Sequence, residues 1–217
     1  MPGYSFYFIC SFSIAIAALL GLFRINRSER RFVPFFVFLC TGFLNEIASD
    51  ISGRIWQTNS VNTDIYMLME SMILLWLFYE WRVFRKWTSY ALIAGSFVIV
   101  WVYDTFITGS LADFSSRFHT FYSFVIVLLS IQYINRLIVS EQRLTLKNAE
   151  FLICICLLLF YTAAAIVEIF WFYGFENNVY FVSKIYVIVP IVNLITNLIY
   201  ALAVLWIPRK PAFITLS

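Results

Sequence analysis

The sequence predicts an all-α, polytopic transmembrane bundle of seven helices, on three observations. Apolar residues make up 62 % of the 217-residue chain and charged residues only 12 %, where soluble domains carry about a quarter charged residues. So little polar surface cannot cover a water-facing globule, and in lipid a helix satisfies its own backbone. The apolar residues also fall in runs of about twenty, enough to cross ~30 Å of hydrocarbon. Finally, the basic residues sit between these runs rather than along one face, which argues against a nucleic-acid partner and makes the lipid bilayer the first partner.

The runs cover about 4–23, 32–52, 64–83, 88–105, 117–138, 150–173 and 180–207, so residues 1–217 form a single seven-span domain with no soluble domain. Run one lacks a basic start and is followed by its positive cluster, so it reads as a retained span and not a signal peptide. Run two carries a small-and-polar stripe, Gly42, Glu46, Ser49 and Gly53, expected to face the bundle. Ala17/Gly21 and Ala91/Gly95 read as helix contacts on the same ground. Run seven holds Pro190, which predicts a helix irregularity just before Asn193. The connectors at 52–63 and 138–149 are too short to fold alone.

Orientation follows from Lys and Arg. Twelve of the fifteen fall on one side: Arg24, Arg27, Arg30 and Arg31, Arg82, Arg85 and Lys86, Arg136, Arg143 and Lys147, Arg209 and Lys210. Arg54, Arg117 and Lys184 fall on the other. The positive-inside rule then places the N-terminus outside and the C-terminus in the cytoplasm. Trp56, Trp101 and Trp171 mark the outer interface, and Trp81, Trp87 and Trp206 the inner one. The remaining aromatics, 20 % of the chain in all, read mostly as lipid-facing bulk.

Carboxylates inside apolar spans are costly and therefore candidates for function. At ~1.5 Å of rise per residue, Glu46, Glu70 and Glu168 lie in the outer part of their spans. In this reading every intramembrane ionisable group except Glu80 is in the outer half. Glu80 belongs to the inner rim as a surface pair with Arg82, and Asp50, Asp64, Asp104 and Asp113 mark water-facing outer ends. Spacing puts Tyr66 and Glu70 on one helix face, and Asn193 and Asn197 on another. The expected site is an outward-facing polar pocket. Glu46, Asn45, Glu70 and Tyr66 form one wall, Glu168 and Lys184 the opposite wall with His119 beside them, and Asn193 and Asn197 the floor.

Cys10, Cys40, Cys154 and Cys156 all lie in apolar runs, where cysteine behaves as a small hydrophobe. One histidine cannot build a site of several imidazoles. Neither a metal nor any other cofactor is expected. The layout of Glu70 on span three and Lys184 on span seven resembles rhodopsins, but the mid-helix depth of a Schiff-base lysine carries Asn193 and Thr196 instead.

Three classes of function stay open. Several carboxylates opening outward suit binding or transport of a small solute or cation, including an amine or a coupling proton. A sensor or accessory subunit would need a membrane or cytoplasmic protein partner. An intramembrane enzyme acting on lipid could use two carboxylates with separated pKa values, although no Ser/His/Asp set can be assembled.

The segments Asn45-Glu46, Tyr66-Met67-Leu68-Met69-Glu70 leading into Phe78-Tyr79, and Val192-Asn193-Leu194-Ile195-Thr196-Asn197-Leu198 resemble a set of small multi-span membrane proteins common in Bacteroidetes. The resemblance covers spans two, three and seven. It implies a bacterial inner-membrane location and carries no activity with it.

Overall fold

The computed structural model describes residues 3–109, 115–139, 147–172 and 187–209. Among these the regular elements are helical, and seven helical stretches are long and apolar enough to cross a membrane. The chain is an integral, multi-pass membrane protein.

The first span is two helices, α1 (Tyr4–Phe12) and α2 (Ile14–Arg24), meeting at Ser13. The Ser13 hydroxyl donates to the Cys10 carbonyl at 2.6 Å, a back-bond that bends helices. It also accepts from Asn197 Nδ2 at 2.9 Å, which fixes the bend against the last span.

Helix α3 (Val33–Trp56) runs four residues beyond its apolar stretch and stops at Gln57, which adopts φ 57°. A left-handed residue closes a helix sharply. With α4 (Ser60–Glu80) starting three residues later, the expected 52–63 connector shrinks to a turn. Helix α5 (Trp87–Val102) passes into a π-helical turn at Tyr103–Thr108, where Asp104 and Thr105 are buried. Helices α6 (Ser116–Val139), α7 (Ala149–Phe172) and α8 (Ile188–Trp206) complete the spans. Pro34 and Pro190 both lie in the first turn of their helices, where the missing N–H has no intrahelical partner to lose. Among the described residues Pro190 thus opens a helix and does not interrupt one. Most of the expected start of span seven, from 180 to 186, lies outside the described residues.

Six spans close into a ring: α2 packs on α3, α3 on α4, α4 on α6, α6 on α7, α7 on α8, and α8 on α2. Helix α5 leans on α4 and α6 from outside, and only 17 % of its span is buried. Ala91 is accordingly exposed and a Cβ on Gly95 would meet open space, so the expected Ala91/Gly95 contact is not made within the described residues. The Ala17/Gly21 contact is made: a Cβ on Gly21 would come within 2.9 Å of the Phe36 ring.

The core is aromatic, which corrects the lipid-facing expectation. Phe35, Phe36, Phe78, Phe97, Phe118, Tyr122 and Tyr161 are fully buried, while many of the exposed large residues are Ile and Leu. Lipid tails are as apolar as leucine, so helices associate there through close packing and interhelical hydrogen bonds, and offset or edge-on ring pairs add to that. Trp81 is likewise buried and stacks on Tyr133 at 4.8 Å, so it belongs to no interfacial belt.

Candidate functional site

Inside the ring, nearer the N-terminal end of the bundle, lies a partly open cavity of about 210 Å³. All six ring spans line it, and none of its lining comes from α5. Seven of the nine sequence candidates meet here: Asn45, Glu46, Tyr66, Glu70, His119, Asn193 and Asn197. Glu168 stands behind His119, its Oε1 3.3 Å from His119 Nδ1, and is not part of the lining. Lys184 lies outside the described residues.

Glu70 is the best-held group of the site. It is 7 % exposed, and both its oxygens accept hydroxyls: Tyr66 Oη donates to Oε1 at 3.0 Å and Tyr122 Oη to Oε2 at 2.7 Å. The first contact is the i,i+4 pair on α4; the second crosses from α6. A buried carboxylate held on both oxygens keeps its position whether or not a ligand is present. Glu46, half-buried on α3, carries the second carboxylate into the cavity.

Gly42, one turn before Glu46, permits this closeness. A Cβ there would sit 2.6 Å from Ile14 Cδ1 and 3.3 Å from the Tyr66 hydroxyl. The polar stripe ends early, however: Gly53 is exposed, and a Cβ there would meet no atom within 4 Å among the described residues.

The two asparagines of α8 act as the expected pair, with Asn197 Nδ2 donating to Asn193 Oδ1 at 3.2 Å. Asn45 is partly committed to the fold. Its Oδ1 accepts from Asn62 Nδ2 at 2.9 Å, and the same amide donates to Ser49 Oγ at 3.0 Å, joining α3 to α4.

Two acidic residues expected to face water do not. Asp64 is 0 % exposed and Asp104 is 7 % exposed. Asp64 accepts from the Ser115 N–H at 3.1 Å and the Ser115 hydroxyl at 2.9 Å, and Asp104 accepts from the Phe118 N–H at 2.9 Å. The N–H groups at a helix start have no intrahelical acceptor. Carboxylates from α4 and from the π-helical turn after α5 thus cap the buried start of α6. Asp50 does stay near the surface, bonded to Tyr4 Oη at 2.7 Å and paired with Arg54 at 2.9 Å. Asp113 lies outside the described residues.

Two further expectations need correction at the opposite end. Glu80 accepts from Trp76 Nε1 at 3.2 Å instead of pairing with Arg82. Glu150, which the sequence reading passed over, is 5 % exposed and breaks the rule that buried ionisable groups keep to one half.

Sequence reasoning also missed Tyr122, Tyr200 and Ser11 in the cavity wall. Tyrosines and serines scattered through apolar spans carry no pattern that marks them. Among the described residues no group of three or more His, Cys, Asp or Glu side chains is placed to hold a metal. No known protein family, curated protein or solved structure matches the chain.

Proposed function

We propose that the protein binds a small cationic solute, an amine or a simple cation, in this cavity and carries it across the membrane. The observation that supports the reading is the charge of the wall. Glu46 and Glu70 line one cavity, and the basic side chain lining it within the described residues is the single imidazole of His119. A desolvated carboxylate without a fixed cation attracts a mobile one. The rings of Tyr66, Tyr122 and Phe160 in the same wall favour a cationic headgroup further through their π-faces. Amides at Asn193 and Asn197 add acceptors on the far side.

The bias of basic residues toward the opposite end supports an orientation in which this cavity faces outward. With the Bacteroidetes resemblance it also supports a bacterial inner membrane as the location.

Proteoliposomes containing the protein test the reading with labelled ethanolamine, choline and sodium. Uptake of at least one, lost on Glu70→Gln while the variant keeps its melting temperature, is the expected result. Equal uptake by wild type, Glu70→Gln and protein-free vesicles for all three probes would sink the proposal.

A further inference from the structure

The end of the bundle opposite the acidic cavity holds a second, larger cavity of about 510 Å³. Three arginines line it, Arg31, Arg82 and Arg136, together with Glu80, Glu150 and Trp81. These residues come from the connector before α3, the end of α4, the end of α6 and the first turn of α7, so the site exists only when the bundle is assembled.

The charges are not evenly satisfied. Glu150 accepts the Tyr133 hydroxyl at 2.6 Å and pairs with Arg31 at 2.6 Å, and Arg31 also holds Glu29 at 2.6 Å. Arg31 is thereby neutralised. Arg136 Nη1 donates to the Arg82 carbonyl at 2.5 Å, which draws the α4–α5 turn against α6. Among the described residues neither Arg82 nor Arg136 is ion-paired. Trp81 is 4 % exposed, and its indole N–H is buried without an acceptor among the described residues.

We propose that this cavity takes a phosphate-bearing group, the headgroup of an anionic phospholipid, gripped by Arg82 and Arg136. Guanidinium forks match phosphate oxygens two at a time. The start of α7 adds the partial positive charge of a helix N-terminus beside them. The arginines lie at the ends of α4 and α6, the level at which headgroups sit, and basic pockets between membrane helices take such lipids. A soluble phosphate ester shares the chemistry and is the competing source.

Native mass spectrometry of the detergent-purified protein, given phosphatidylglycerol and phosphatidylcholine in equal amounts, reads the selection directly. Wild type should retain phosphatidylglycerol preferentially. Arg82→Gln should lower that preference about five-fold, and Arg82→Gln with Arg136→Gln by the product of two such losses, on the worth of one basic residue near an anionic surface. The Arg82 side chain is exposed, so the single variant remains informative should the double variant fold poorly. Arg27→Gln with Arg85→Gln removes the same charge from exposed positions outside the cavity and should leave the preference unchanged. Equal retention of the two lipids by wild type, or an equal loss in this control, overturns the site. A rise in melting temperature of lipid-stripped protein with glycerol 3-phosphate that depends on Arg82, without lipid selection, overturns the lipid as its source.

Discussion

Glu70 is gripped from its own helix by Tyr66 and from across the bundle by Tyr122, and the two contacts differ in what they do. The Tyr122 hydroxyl is buried and bonded to a carboxylate oxygen at 2.7 Å. Hydrogen bonds to charged groups contribute about 1.5–3 kcal/mol. Tyr122→Phe should therefore cost about that much stability, read as a lower melting temperature in detergent, because it strips a partner and leaves the acid in place. Glu70→Gln should leave the melting temperature nearly unchanged, since the amide keeps the shape, its oxygen still accepts one tyrosine hydroxyl, and the other hydroxyl can turn to accept from the NH2. It removes the charge, however, and cation uptake should fall. A variant series in which stability and uptake fall together would make Glu70 only a register-fixing group. Tyr66 with Glu70 was legible in the sequence because i,i+4 spacing on a helix follows from the backbone alone. Tyr122 was not, because nothing in a single span's periodicity fixes how it is rotated against its neighbour.

The start of α6 shows the same limit at the scale of an element. Depth along a helix follows from residue number, so Asp64 and Asp104 were rightly placed near span ends. Their direction around the axis was not available. Both turn inward, and the π-helical turn after α5 coincides with the burial of Asp104. The seven spans themselves were legible because lipid demands long apolar runs, and their ends drifted because polar residues can extend a helix beyond the hydrocarbon, as α3 does to Trp56. Asp64→Ala removes the acceptor of two bonds to Ser115. It should destabilise the protein by about 1–3 kcal/mol, the cost of leaving buried donors unmet, and speed hydrogen exchange at the Ser115 amide. Unchanged exchange there would mean that water reaches the α6 start. Glycines make a second element-scale contrast. Gly42→Ala must push Ile14 away and crowd Tyr66, which should cost about 1–3 kcal/mol as overpacking does. Gly95→Ala meets open space and should be neutral or slightly stabilising, since alanine is the better helix former. Melting temperatures of the two variants, measured side by side, decide it. An equal loss at both positions would place an unseen partner against α5.

At the scale of the whole molecule, a closed ring of six spans leaves one acidic cavity toward the N-terminal end and one arginine-rich cavity toward the other. This polarity joins the fold to its orientation. The basic residues that argue for a cytoplasmic face in the sequence include the arginines that line the second cavity, so the acidic cavity should open outward. Cysteine labelling with a membrane-impermeant thiol reagent tests both at once. The native thiols of Cys10, Cys154 and Cys156 are at most 1 % exposed and Cys40 is half-buried, so Cys40→Ala protein provides the background reading. Asn59→Cys, in the exposed α3–α4 turn, should react in intact cells, and Lys86→Cys, in the exposed turn before α5, only after permeabilisation. The three candidate glutamates should separate. Glu46→Cys, half-buried in the wall, should react readily. Glu70→Cys, deeper and 7 % exposed, should react slowly and be slowed further by a bound amine. Glu168→Cys, 8 % exposed behind His119 and outside the lining, should stay protected. Reversal of Asn59→Cys and Lys86→Cys would turn the bundle over and make the acidic cavity cytoplasmic. Protection of Glu46→Cys beside a labelled Asn59→Cys would mean a sealed cavity, with its carboxylates serving the fold alone.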